Sequence, residues 1–276
     1  MRCIRALAFL SIVSHAMSAM AQTDAPPELA LNPKVELAYG EPANPAFKPI
    51  RDRLVAAKAL EQLASLLGPL DLPRPLKVQV VQCDAPVRPY ATATGVTICY
   101  EQIARIEEIA LKAPRNSAAT PPQMAVAAFV QTLLHETAHA IIDIYKLPVW
   151  GRANDAADRL AALMMLQFGP EIALKVVYGA AGFFEASEQT WTGSDFARAA
   201  SPEAQRYYNY LCMAYGWNAD TFRGVVAQGL LPEYRAYRCA NEYQQALAAF
   251  KTTIMPHVDP SKLDKVYVSI PEITLP

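Results

Sequence analysis

The stretch TPPQMAVAAFVQTLLHETAHAIIDIY, residues 120–145, is apolar along most of its length but carries two His and one Glu within five residues of its second half. Thr120 is a candidate N-cap, and Pro121 suits the first turn of a helix because that position needs no backbone donor. Pro148 lies just beyond the stretch and favours a turn. The stretch therefore predicts a long core helix, in which ionisable side chains are costly to bury without a partner.

The segment HETAH within this helix has the HExxH pattern, with His135 and His139 four residues apart. Residues at this spacing share one face of a helix, so two imidazoles can reach one metal ion at about 2.0–2.1 Å. Glu136 would lie beside that ion, where a carboxylate can act as general base on an attacking water. The pattern indicates a zinc site. The alternative is that the three side chains lie on the solvated face of an ordinary helix.

The next predicted helix, WGRANDAADRLAALMM at residues 150–165, offers three candidates for a third metal ligand. Asn154 and Asp158 are four residues apart and share one face, whereas Asp155 lies about 100° around the helix from Asn154. Asp158 is also well placed to accept a hydrogen bond from the outer nitrogen of a ligating His. The residues alone leave the choice among Asn154, Asp155 and Asp158 open.

The remaining pattern predicts an α+β fold that is mostly helical. Alternating residues in LKVQVVQC and GVTICYEQ predict strands over 76–83 and 95–102, forming a β-hairpin or small sheet before the HETAH helix. Apolar spacing predicts further helices, over 47–67, 154–168, 171–190, 201–216, 218–228 and 232–253.

The first 21 residues resemble a secretory signal peptide, with Arg2 and Arg5 before a short apolar run and the cleavage pattern Ala19-Met20-Ala21. We therefore expect an exported protein, periplasmic or secreted, with no stable membrane anchor after cleavage. Residues 22–47 are rich in Pro and Ala and predict a lead-in segment that starts as a flexible chain. The net charge of −1 and the absence of a basic run argue against a nucleic-acid partner.

Cysteine usage agrees with export, because four cysteines remain after residue 21, an even number that favours disulfides in an oxidising compartment. Four cysteines allow three pairings, and sequence proximity favours Cys83 with Cys99 and Cys212 with Cys239. A four-cysteine metal site is the alternative, but the chain has no close C-x-x-C pair.

The stretch HETAHAIIDIYKLPVWGRANDAADRLA, residues 135–161, resembles a bacterial family of secreted metallopeptidases built on a domain of unknown function. Those proteins are similar to gluzincins, with an HExxH helix, a short LP–G–R turn and an acidic helix of E-D-A-A-D type. The likeness continues through VQCDA, GVTICYEQI, SPEAQRYYNYLCMAYG and LPEYRAYRCANEYQQAL. It implies a zincin-like fold with a small N-terminal β-hairpin or sheet, then the HExxH helix and a C-terminal helical bundle. The expected domain spans 48–276, with the strands in 48–120 and the helical part in 121–276.

Residue by residue, the resemblance implies that His135 and His139 are zinc ligands and that Glu136 is the general base. Asp158 matches the trailing Asp of the family's acidic helix. Asn154 falls where the family usually has an acidic third ligand, and a neutral amide oxygen binds zinc more weakly than a carboxylate. Asp155 or Asp158 would then be the substitute ligand if Asn154 does not bind.

The leading expectation is a zinc-dependent metallopeptidase acting on peptide or protein substrates. Because of Asn154, the alternative is a metal-binding but catalytically weak homologue that serves as a binding or structural protein. A purely structural helical domain without metal is the third hypothesis.

Metallopeptidase sites also stabilise an oxyanion. The candidates for this role are Arg206, Tyr207, Tyr208 and Arg235, although each is also typical of a packing or surface residue.

Overall fold

The structure is a computed structural model that describes residues 31–83, 89–92, 94–113, 119–187 and 200–265. The predicted signal peptide, residues 1–21, lies outside the described residues. So do residues 22–30 of the predicted lead-in and the end of the helix predicted over 171–190.

A four-stranded sheet with the order β1-β2-β4-β3 forms the N-terminal part of the fold. Its strands are β1 Val35–Tyr39, β2 Leu76–Val81, β3 Tyr90–Thr92 and β4 Gly95–Cys99. β1, β2 and β4 are parallel neighbours, and β3 pairs antiparallel with β4 at the edge. Leu76, Val78 and Val80 are each at most 3% exposed, because alternate side chains of a strand face the core.

The small sheet expected before the HETAH helix is therefore confirmed, with two differences in detail. The two predicted strands run parallel and do not form a hairpin with each other; the hairpin joins β4 to the short strand β3. β1 lies in the segment expected to be a lead-in, because VELAY supplies a third parallel strand beside β2. The strand-containing part thus begins before residue 48.

The described residues contain nine α-helices, numbered here in chain order. Their bounds are α1 Lys48–Ala56, α2 Ala59–Ala64, α3 Tyr100–Leu111, α4 Pro121–Tyr145, α5 Ala153–Leu166, α6 Pro170–Ala186, α7 Glu203–Trp217, α8 Arg223–Ala227 and α9 Glu233–Thr253. The helix predicted over 47–67 is split, because Lys58 adopts a left-handed conformation with φ of 48°. α3 replaces the end of the strand predicted over 95–102, since the chain becomes helical at Tyr100 and buries Ile103 and Ile106.

α4 is the central helix of the fold. A capping box fixes its first turn: the Thr120 side chain accepts from the Gln123 backbone N–H, and the Gln123 side chain accepts from the Thr120 N–H. α4 packs against α3, α5 and α6 and also contacts β3 and β4. Its length and apolar composition would suffice to span a bilayer, but 78% of its most apolar window is buried inside the fold, as in the core helix of a soluble protein.

Two disulfides, Cys83–Cys99 and Cys212–Cys239, confirm the pairing that sequence proximity favours. The first joins the chain just after β2 to the end of β4, and the second joins α7 to α9. Each therefore reinforces one part of the fold, the sheet or the C-terminal helices.

Candidate metal centre

α4 and α5 bring two imidazoles and one amide together. His135 Nε2 and His139 Nε2 lie 3.2 Å apart. Asn154 Oδ1, from the first turn of α5, lies 3.2 Å from His135 Nε2 and 3.3 Å from His139 Nε2. The i, i+4 spacing on α4 places the rings side by side, and the turn between α4 and α5 folds Asn154 onto them.

These three atoms have the spacing and chemistry of a zinc-binding face. Ligands at 2.0–2.1 Å around a tetrahedral zinc ion are roughly 3.3–3.4 Å from one another. The three observed distances of 3.2, 3.2 and 3.3 Å are close to that separation. Imidazole nitrogen and amide oxygen are both zinc-ligand types, with imidazole the stronger. The residues present therefore fit a zinc ion.

Asp158 contacts the other side of the His135 ring. Its Oδ1 lies 2.8 Å from His135 Nδ1, and both side chains are mostly buried. An ionised carboxylate only accepts hydrogen bonds, so Nδ1 carries the proton and donates it. A neutral His135 ring then keeps its lone pair on Nε2, which faces His139 and Asn154. This is the tautomer that metal binding through Nε2 requires.

Three further side chains donate hydrogen bonds to Asp158. Arg206 donates through Nε to Oδ2 and through Nη2 to Oδ1, both at 2.8 Å, while Tyr210 and Gln131 donate to Oδ1 at 3.2 and 3.3 Å. Burial alone would raise the pKa of the Asp158 carboxyl, but the Arg206 charge and the His135 contact outweigh it and hold this pKa well below its usual value. Asp158 is therefore a carboxylate near neutral pH.

Glu136 lies beside the imidazole pair and is 9% exposed. Burial raises the pKa of its carboxyl, although the nearby His135 and Arg206 partly oppose this shift. Among the residues that the structure describes, none forms a hydrogen bond or ion pair with its carboxylate. Burial and the neighbouring His135 also lower the pKa of His139, which favours the neutral imidazole that a metal needs.

Of the three candidates for a third ligand, the structure brings Asn154 to the imidazole nitrogens. Asp155 points elsewhere: its Oδ1 accepts a 2.6 Å hydrogen bond from the Ser201 hydroxyl. The two residues differ because one position along α5 rotates a side chain by about 100°. Asp158 lies on the far side of the His135 ring from Asn154, with its Oδ1 2.8 Å from His135 Nδ1.

The candidate oxyanion stabilisers are mostly engaged in other contacts. Arg206 is held by Asp158, and Arg235 forms two hydrogen bonds of 2.7 and 2.8 Å with Glu242 on its own helix α9. Tyr207 and Tyr208 pack edge to face against each other, with ring centroids 5.0 Å apart. No contact joins these four residues to the imidazole nitrogens among the described residues.

Sequence reasoning missed Gln131 and Tyr210 as members of the site. Gln131 carried a usable signal, because it precedes His135 by the four residues that separate His135 from His139. Three polar residues at that spacing in an apolar helix lie on one face. Tyr210 carried no such signal, since its role depends on how α7 packs against α5.

One comparison with known proteins finds a match over this whole region. A family model, DUF4344, described as "Putative metallopeptidase", matches residues 39–254, from the end of β1 through α9. No curated protein and no solved structure matches the chain. The matched range contains the imidazole pair, Asn154 and all the side chains that surround Asp158, and it agrees with the family expected from the HExxH helix and the helix after it. The chain therefore belongs to this metallopeptidase family.

Proposed function

We propose that the protein is an exported zinc-dependent metallopeptidase that hydrolyses peptide bonds in peptide or protein substrates. The observation that carries the proposal is the set of three donor atoms, two imidazole nitrogens and one amide oxygen, at mutual distances of 3.2–3.3 Å. Membership in a metallopeptidase family supports the same reaction class.

His135 and His139 through Nε2, and Asn154 through Oδ1, would hold the zinc ion. Three protein ligands are the number typical of catalytic zinc sites, whereas structural sites usually have four. When bound, zinc would polarise the substrate carbonyl and make a water molecule a better nucleophile. Zinc is the expected ion because imidazole ligands suit it.

Glu136 is the proposed general base. It would take a proton from the attacking water and later give it to the leaving amine, so one carboxyl serves first as base and then as acid. The burial that raises its pKa brings it closer to the working pH, which helps both steps. Its carboxylate has no competing hydrogen-bond partner among the described side chains.

The sheet offers a way to bind a peptide substrate. β3 is an edge strand that pairs with β4 on one side and packs against α4, the helix that carries both His residues. An extended peptide can add to such an edge through main-chain hydrogen bonds. Tyr90 in β3 is 53% exposed and so is available to contact a side chain of the substrate.

Export is supported by two independent features. The N-terminal sequence has the charge, apolar run and cleavage pattern of a signal peptide. The two disulfides are of the kind that persist in the periplasm or outside the cell.

The test uses the mature chain from residue 22, purified without a His-tag. Zinc per chain would be measured by elemental analysis, and hydrolysis by mass spectrometry of a mixed peptide library. Glu136→Gln should keep the zinc but lower kcat/KM by roughly 10²–10⁴-fold. Glu108→Gln makes the same change on the exposed face of α3 and should alter neither quantity. Full hydrolytic activity in Glu136→Gln would rule out this mechanism, and no zinc even with excess metal would rule out the site.

Asn154 favours one second candidate, a metal-binding homologue with weak or no catalysis. Its neutral oxygen stands at the position for which the family resemblance implies an acid, so zinc would be held less tightly. This candidate predicts that the wild-type protein binds zinc weakly and cleaves poorly, and that Asn154→Glu raises both affinity and activity. Efficient cleavage by the wild-type protein would exclude it.

A further inference from the structure

Arg206 is the main contact of the carboxylate that supports His135. It comes from α7, a helix distant in sequence from both α4 and α5, and its side chain is 19% exposed. Its Nε and Nη2 reach separate oxygens of Asp158 at equal distances of 2.8 Å. This two-point contact fixes the plane of the carboxylate, because a guanidinium fork matches carboxylate geometry.

The Arg206 guanidinium is itself held in place from behind. Its central carbon lies 4.3 Å from the centroid of the Phe184 ring in α6, a distance at which a cation is attracted to an aromatic face. Phe184 is 2% exposed and packs against Tyr210. The fork therefore has little freedom to turn away from Asp158.

We propose that Arg206 is a positioning residue for the metal centre, which fixes the orientation of the His135 ring through Asp158. The inference rests on the proposed zinc site. With both carboxylate oxygens held by Arg206, Asp158 Oδ1 stays 2.8 Å from His135 Nδ1. The Nδ1 proton is then fixed on the Asp158 side, and the Nε2 lone pair faces His139 and Asn154.

Tyr210 and Gln131 complete the arrangement but cannot replace the fork. Both donate to Oδ1, at 3.2 and 3.3 Å, and Gln131 also donates to the Tyr210 hydroxyl at 3.0 Å. Neither reaches Oδ2. Without Arg206, Oδ2 loses the Nε donor and Oδ1 keeps only the contacts with Tyr210, Gln131 and His135, so the plane of the carboxylate is no longer fixed from both oxygens.

The test compares Arg206→Gln with Arg235→Gln. Arg235 is a close match as a control, because it also forms a two-point pair with a carboxylate, on Glu242, and its side chain is 21% exposed. Zinc affinity would be measured by competition with a chelator. We expect Arg206→Gln to weaken zinc binding by roughly 10- to 100-fold, as for other residues that orient a metal ligand, and Arg235→Gln to leave it unchanged.

A spectroscopic measurement on the metal-free protein separates positioning from general loss of structure. Nitrogen NMR of the His135 ring should show the proton on Nδ1 in the wild-type protein, the opposite of the preference of free histidine. Arg206→Gln should show a mixture of tautomers, and Arg235→Gln should show the wild-type state. If wild-type protein binds no zinc, the proposed function fails, while this NMR measurement still tests the role of Arg206.

Arg206→Lys keeps the positive charge but loses the fork, and it covers the case in which Arg206→Gln does not fold. We expect intermediate zinc affinity and partial loss of the Nδ1 tautomer. Folding of each variant would be checked by circular dichroism and thermal melting. The inference would be overturned if folded Arg206→Gln had wild-type zinc affinity and the wild-type ring tautomer. If Arg206→Gln does not fold, the same result for folded Arg206→Lys would overturn it.

Discussion

Asn154 sets the charge of the proposed metal centre. With two neutral imidazoles and a neutral amide, the three proposed ligands would offset none of the charge of a zinc ion. Asp155, the residue directly after Asn154, is turned toward Ser201 and does not compensate. Such a centre would bind zinc less tightly than one with a carboxylate ligand. It would also leave more of the ion's positive charge available to polarise a substrate carbonyl.

Asn154→Asp tests this directly, because it changes the charge of the ligand but almost nothing of its shape. We expect zinc to bind at least about tenfold more tightly, equivalent to about 1.4 kcal/mol, since a carboxylate attracts the ion more strongly than an amide. Affinity would be measured by chelator competition. Asp155→Asn is the control and should leave affinity unchanged. Equal affinity in Asn154→Asp and the wild-type protein would show that residue 154 is not a ligand.

Asp158→Asn should destabilise the metal-free protein, because it leaves the mostly buried Arg206 without its partner. Breaking a buried pair on one side costs roughly 3–5 kcal/mol. The pKa of Asp158 is lower in the folded state than in the unfolded chain. The carboxylate therefore adds its full share to the free energy of unfolding above the unfolded-state pKa of about 3.9. This share is lost as the pH falls from that value toward the lower pKa of the folded state. Denaturant unfolding should therefore show a large difference between variant and wild-type protein at pH 7, shrinking below about pH 4. A difference independent of pH would contradict this account.

At the scale of the elements, the position of α4 depends on a close contact with α6. A Cβ built at Gly179 in α6 would lie 2.5 Å from Ala127 Cβ and 2.8 Å from the Gln123 carbonyl oxygen. Neither atom can move without shifting α4. The absence of a side chain at Gly179 is therefore what lets the two helices approach.

Gly179→Ala should lower the free energy of unfolding by roughly 1–3 kcal/mol, the range for overpacking in a tight core. The sign of this change is informative, because Ala in a helix is otherwise favoured over Gly by about 1 kcal/mol. A loss of stability would therefore point to the close contact and not to helix propensity. Gly182→Ala, on the same helix, is the control: the nearest atoms to its Cβ all belong to the flexible Met124 side chain, with the terminal methyl closest at 3.2 Å. It should be neutral or stabilising in the same denaturant measurement. Equal effects of the two substitutions would refute the close-contact explanation.

The elements differ in how far the sequence could predict them. The bounds of α4 followed from its cap, its apolar pattern and the turn after it, all local signals. α3 was missed because YEQIARIEEIAL follows directly on a strand with no break residue, and its amphipathic pattern starts inside the region assigned to that strand. β1 was missed because its five residues become a strand only by pairing with β2, which lies far along the chain.

The site shows the same division between local and distant information. His135, Glu136 and His139 could be named from one segment, because helix periodicity alone places them together. Asn154 could be named as a candidate, but choosing it over Asp155 required the rotation of α5 relative to α4. The contacts of Arg206 and Tyr210 depend on the packing of α7, which no short pattern encodes.

For the molecule as a whole, the chain after α9 is joined by backbone hydrogen bonds to the segment between α2 and β2. The backbone N–H of Asp71, before β2, donates to the His257 carbonyl at 2.7 Å, and the N–H of Asp259 donates to the Pro69 carbonyl at 2.8 Å. Tyr145, at the end of α4, stacks on the His257 ring with centroids 4.1 Å apart. Residues 257–259 thus contact both the segment before β2 and the end of α4, the helix that carries the imidazoles.

Zinc should stabilise this whole assembly, because its proposed ligands lie on two helices that must be packed together to bind it. A ligand that binds only the folded state raises the free energy of unfolding by about 2.7 kcal/mol at a free concentration 100 times its Kd. The melting temperature of the metal-free protein should therefore rise with added zinc and return to its starting value when a chelator is added. His135→Ala should abolish the response, while His257→Ala, which removes an imidazole outside the site, should preserve it. A zinc-dependent shift of equal size in His135→Ala would mean that the ion stabilises the protein from another site.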